Sequence, residues 1–168
     1  MRDVILGGQD GLVNVLGVVL GVAAATQETR IVLAAGLAAA FAESFSMAAV
    51  AYTSTVAERD YLQSTLPKKE AARIEHAIPE EAAPLKSALI VGLAAIIGSL
   101  IPLFPFIWLP IKAAITVAIV ISAIALFALG AIKAKTTVGD WKKSGGEILA
   151  IGLLAALIGY LVGLVFQV

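Results

Sequence analysis

Five long apolar runs, divided by short polar turns and one longer polar stretch, organise this chain. They cover about residues 4–25, 30–57, 87–103, 111–134 and 147–166. Each is close to the ~20 residues that carry a helix across ~30 Å of hydrocarbon, whereas a membrane β-strand needs only about half as many. The pattern predicts an all-α membrane protein of five transmembrane helices. The first run is dense in glycine, at 7, 8, 11, 17 and 21. Glycine weakens a helix in water but lets backbones approach closely in lipid, so a tightly packed interior helix is expected. A small-residue face such as Gly7, Gly11 and Gly17 also permits close association with a second copy. The turn Thr26-Gln27-Glu28-Thr29 is short enough only for a hairpin, and the second helix therefore returns antiparallel to the first. Residues 58–86 form the one aqueous segment of any size, with a short amphipathic helix expected over Lys68 to Ala77. Pro102, Pro105 and Pro110 then frame a turn rich in Phe and Trp108, suited to a membrane–water interface. The fourth and fifth runs, the latter with glycines at 152, 159 and 163, should pack closely together.

Composition sharpens this picture. Hydrophobic residues make up 60% of the 168, charged residues 14%, and the mean hydropathy is +0.98, far from the ~25% charge of a soluble domain. The length suits a single transmembrane domain over 1–168, with 58–86 as a short cytoplasmic segment within it. The run from Val4 is too long for the core of a cleaved signal and a second run follows directly, so it reads as the first span. The net charge is zero, and nothing indicates a nucleic-acid partner. Cysteine is absent, which excludes disulfides, thiolate metal sites and a cysteine nucleophile. The placement of Lys and Arg is more informative: of the twelve, only Arg30 and Lys112 fall on one side. The N-terminus, the 58–86 segment and the loop at 135–146 are therefore expected to be cytoplasmic. The residence would be the cell membrane in a prokaryote and an organellar membrane in a eukaryote.

Candidate chemistry lies where charge meets lipid. A carboxylate inside a span costs from ~2.5 kcal/mol upward, and it persists when it faces an interior or a hydrated path. Asp10 and Glu43 are two such residues, and Met47 follows Glu43 by one turn on the same face. If the first two helices touch, antiparallel geometry brings the three to similar depth. Carboxylate oxygens suit hard or borderline divalent ions, and a thioether shifts the preference towards iron. Ser46 and Asn14 could supply further oxygens, and the small residues Ser44, Ser46 and Ala48 leave room for water or another helix. Bland alternatives stand beside this reading: Met47 as packing, Asp10 as the cap of a helix beginning at Gly11, Glu43 as a clasp between helices. Glu58 and Asp60 continue the second helix out of the membrane, where they could raise the local cation concentration. His76 suggests at most a weak metal contact, and Glu147 reads as compensation for the dipole at the start of the fifth helix. With no nucleophile–base pair, phosphate loop or cofactor motif, an enzyme is not expected. Fe²⁺, or alternatively Mn²⁺, would be a transported substrate with no permanently bound cofactor. The competing class is a membrane scaffold without transport.

The opening Arg2-Asp3-Val4-Ile5-Leu6-Gly7-Gly8-Gln9-Asp10-Gly11-Leu12, the stretch from Ala35-Gly36-Leu37-Ala38 through Ser46-Met47 to Tyr52, and the pattern from Gly152 to Gly163 resemble the vacuolar iron transporter family, which includes the yeast CCC-type carriers. The resemblance runs over all five spans. It implies a homodimer in which the first two helices of each subunit line a path that exports Fe²⁺ from the cytosol in exchange for protons. The family's pore aspartate falls on Asp10 and its pore methionine on Met47. The pore glutamate of plant-type members falls on Ala39, and this chain offers Glu43 one helical turn along. Typical members also carry a long acidic cytoplasmic insertion after the second helix, which residues 58–86 do not reproduce.

Overall fold

The computed structural model describes residues 1–65, 83–137 and 139–167. Every element among them is a helix: α1 (Arg2–Thr26), α2 (Thr29–Thr65), α3 (Pro84–Leu103), the single turn α4 (Pro105–Trp108), α5 (Ile111–Thr137) and α6 (Trp141–Val165). Five are long and apolar enough to cross a membrane. The expected amphipathic helix over Lys68 to Ala77, and His76 within it, lie outside the described residues.

α1 is the central helix and touches α2, α3, α5 and α6. Val15, Leu16, Val19 and Leu20 from its middle meet Val32 and Ala40 of α2, Leu103 of α3, Phe106 of α4, Ala114 and Ala118 of α5 and Ala156 of α6 in one buried cluster. Glycine makes the close approach possible. A β-carbon on Gly11 would overlap the Ala95 carbonyl of α3, and one on Gly163 of α6 would overlap the Gly21 carbonyl of α1. Glycines of α1 thus serve contacts inside the subunit: Gly7 and Gly11 on α3, Gly17 and Gly21 on α6. Of the small-residue face that the sequence offers for close association, Gly7 and Gly11 are buried against α3, whereas Gly17 stays half-exposed.

Helix ends shift the predicted boundaries in instructive ways. α2 runs on to Thr65, and its 37 residues span about 56 Å at 1.5 Å per residue, so its last turns project well beyond the hydrocarbon. Pro84 opens α3 from the first turn, where its missing N–H costs nothing. The Ser87 hydroxyl donates to Asp3 Oδ2 at 2.7 Å and so ties the start of α3 to the start of α1. After Leu103 the proline-framed turn folds inward: Phe106 is 1% exposed, whereas Trp108 is 75% exposed. Phe104, Ile107 and Trp108 are the exposed apolar side chains of that turn, whereas Phe106 belongs to the core.

The fifth span begins earlier than its apolar run. Asp140 caps α6 by accepting from the Lys142 backbone N–H at 2.8 Å, and Gly145 and Gly146 lie within the helix. Gly145 sits beneath the Phe127 ring and beside Gly130 of α5, the close α5–α6 approach that the sequence predicts. Glu147 is consequently in the second turn, too far from the end for the dipole role assigned to it. Asp140 takes that role.

Candidate metal-ion site

The residues singled out by the cost of charge in lipid sit where α1 and α2 face each other. α1 is unbroken from Arg2, so Asp10 is an interior helical residue and not a cap for Gly11. Asn14 follows it by one turn on the same face. Across the interface the Asn14 side-chain amide donates to Glu43 Oε1 at 2.7 Å. Asp10, one turn before Asn14 on the same face of α1, lies near the same Glu43 carboxyl. Two acids separated by 33 positions in sequence thus share one environment. The antiparallel register set by the 14–43 contact puts Asp10 level with Met47, one turn back on α1 and one turn on along α2.

Asp10, Glu43 and Met47 are half-buried, and Asn14 is exposed. The constellation therefore has an open side. Beside it, between α1 and α6, runs a groove of about 610 Å³ whose lining includes Asn14, Gly17, Gly21, Gly159 and Phe166. Phe41 and Phe45, two positions either side of Glu43 in sequence, are exposed but point about 160° away from it around α2. The far side is closed: Ser44 and Ala48 pack against Gly92 of α3, and the Ser44 hydroxyl is satisfied by the Ala40 carbonyl at 2.6 Å. The room expected beside Ser44 and Ala48 is filled by α3. Ser46 is exposed and lies about 60° around the helix from Glu43.

Chemically, the described residues of one subunit bring an amide and two carboxyl groups near one another, with the Met47 thioether one helical turn from Glu43 on the same face of α2. Among those residues no group of three or more His, Cys, Asp or Glu side chains is placed to hold a metal ion. Glu58 and Asp60 are both exposed on the final turns of α2, but two positions apart on a helix they point about 160° away from each other. They act as separate charges, not as a chelate. Asn14, which the sequence offers as a further oxygen donor, presents its amide nitrogen to Glu43 and keeps its carbonyl oxygen for another partner. The link to Glu43 is what sequence reasoning did not reach, and the spacing of four from Asp10 is the available signal for it.

Comparison with known proteins gives a consistent match. The VIT family's sequence model matches residues 1–82 and 69–164. The chain is 26% identical to vacuolar iron transporter 1 of Tulipa gesneriana over 95% of its own length and 84% of that protein. It is 32% identical to an uncharacterized protein of Methanocaldococcus jannaschii over 96% of this chain and 87% of that one. It is 30% identical to vacuolar iron transporter homolog 2 of Oryza sativa subsp. japonica, over 96% and 88% respectively.

Proposed function

The chain belongs to the VIT family, and from that premise we propose that this integral multi-pass membrane protein is a carrier of divalent metal, with Fe²⁺ moved out of the cytosol along a path lined by α1 and α2. The observation that supports it most is the meeting of Asp10 and Glu43 at the α1–α2 interface, with Asn14 bonded to the second acid. Relatives that carry the name vacuolar iron transporter span nearly the whole chain. Oxygen donors with a thioether at the same level form a set of borderline softness, which suits Fe²⁺ better than Mg²⁺ or Ca²⁺.

The rest of the mechanism follows from the surroundings of that pair. Acids with an open side cannot face hydrocarbon without a large cost. A second copy of the chain, applied through the exposed face of α2, would cover them and double the number of donors. The cytoplasmic N-terminus is favoured by the ten-to-two bias of Lys and Arg between the two sides. In that orientation Glu58 and Asp60 lie on the projecting end of α2 and enrich cations at the cytoplasmic mouth. Protons and metal ions compete for the same carboxylate oxygens, so proton antiport needs no further machinery: a proton-rich far side displaces the metal, and a proton-poor cytosol reloads it. Mn²⁺ is the principal competing cargo.

Uptake of Fe²⁺ into proteoliposomes under anaerobic conditions, with and without an opposing proton gradient, tests the reading. Asp10→Asn and Glu43→Gln should each lower flux at least about tenfold, the scale on which loss of a metal-site partner is felt. If both variants carry Fe²⁺ as the parent chain does, with the same response to pH, the path does not run through this pair.

A further inference from the structure

Asn14 is the one member of the site that carries neither a charge nor a strong claim to be a metal ligand, and yet its side chain forms a hydrogen bond from α1 to α2. We infer that Asn14 is a positioning residue that holds Glu43 beside Asp10 in the metal-free carrier and thereby sets the affinity of the transport site. The inference rests on the metal-carrier reading above and adds to it a specific residue and a specific role.

Three features carry it. The first is freedom of the side chain. Glu43 reaches its place on a flexible side chain with several rotamers; without a donor across the interface its carboxyl is free to swing away from Asp10, the neighbour with which it is to bind a cation. The Asn14 amide, at 2.7 Å from Oε1, opposes that movement. The second is charge. Arg or Lys at this place would hold Glu43 more strongly but would cancel the negative potential that draws a divalent cation in. An amide donates a hydrogen bond and leaves the charge intact. The third is rigidity of the frame. Asn14 shares a helix face with Asp10, while α3 is wedged against both partners, on α1 through Gly11 and Ala95 and on α2 through Gly92 and Ala48. The amide is therefore presented to Glu43 from a fixed base, which is the condition under which an outer partner can preorganise a ligand.

The test compares Fe²⁺ binding by purified protein with Fe²⁺ uptake by proteoliposomes, both anaerobic, for Asn14→Leu, Asn14→Gln and Asn14→Lys. Leu keeps the bulk and removes the donor; Kd and KM should rise by about tenfold to a hundredfold while maximal flux stays close to that of the parent. Gln restores an amide and should recover most of the affinity. Lys restores a donor but adds a positive charge, and should bind Fe²⁺ more weakly than Gln. Unchanged Kd in Asn14→Leu, or a fall in maximal flux at constant KM, overturns the inference. Should the Leu variant not purify as a monodisperse species, equal affinities of the Gln and Lys variants would overturn it as well. Glu43→Gln measured alongside separates the two levels of argument: if Glu43→Gln abolishes binding and Asn14→Leu does not disturb it, only the role of Asn14 fails, whereas full binding in Glu43→Gln removes the proposed site at Glu43 and the role of Asn14 with it.

Discussion

Single residues in this chain are read most easily where they are most costly. An acid inside a span is unfavourable enough that its presence demands a reason, and Asp10 and Glu43 are visible in the sequence on that ground alone. Met47 is not costly, and it becomes a candidate only through its spacing from Glu43. The antiparallel register strengthens it, because Met47 then stands level with Asp10. Replacing it with leucine conserves volume and removes the soft donor. In a competition assay with both metals present, Met47→Leu should lose its preference for Fe²⁺ over Mn²⁺ severalfold while Mn²⁺ uptake is little changed. An unaltered preference would leave Met47 as packing. Asn14 lies at the other extreme of legibility. An amide donates through its nitrogen and accepts through its oxygen at once, and which end meets Glu43 is set by a partner 29 positions away.

At the scale of helices, the apolar runs locate the spans well and their ends poorly. A helix ends where its backbone groups find other partners, and hydropathy does not report that. α6 starts at Trp141 because Asp140 can cap it, with Lys142 and the edge-on Phe127 ring both resting on Trp141; the apolar run begins only later. Glycine carries two meanings in this protein that composition cannot separate. Gly11 is pressed against the backbone of α3, whereas Gly146 has nothing within 4 Å of where its β-carbon would be. Gly11→Ala should therefore cost about 1–3 kcal/mol through overpacking against a backbone that cannot yield. Gly146→Ala should be neutral or stabilise the helix by up to roughly 1 kcal/mol. Thermal unfolding in detergent, followed by tryptophan fluorescence, reads the difference. Equal midpoints for the two variants would mean that α1 and α3 are not so closely apposed.

For the whole molecule, the proposed orientation is directly accessible because the chain contains no cysteine. Single cysteines at Glu28, in the α1–α2 turn, and at Thr65, at the end of α2, occupy exposed positions at opposite ends of the bundle. In intact bacterial cells expressing the chain, a membrane-impermeant maleimide should label Glu28→Cys directly and Thr65→Cys only after permeabilisation. The reverse pattern would place the N-terminus outside and invert the direction of export. The same whole-molecule view explains the division of labour between sequence and fold. Sequence alone determined that the chain crosses a membrane, how many helices do so and which residues are too polar to be there by accident. Those properties follow from transfer energies summed along a contiguous segment. Tertiary structure alone decided that α3 occupies the space beside Ser44 and Ala48, that the α1 glycines serve the subunit's own helices, and that Asn14 turns its nitrogen to Glu43. Each of these depends on which helix lies against which, and helices that are apolar on nearly every side carry little one-dimensional record of their neighbours.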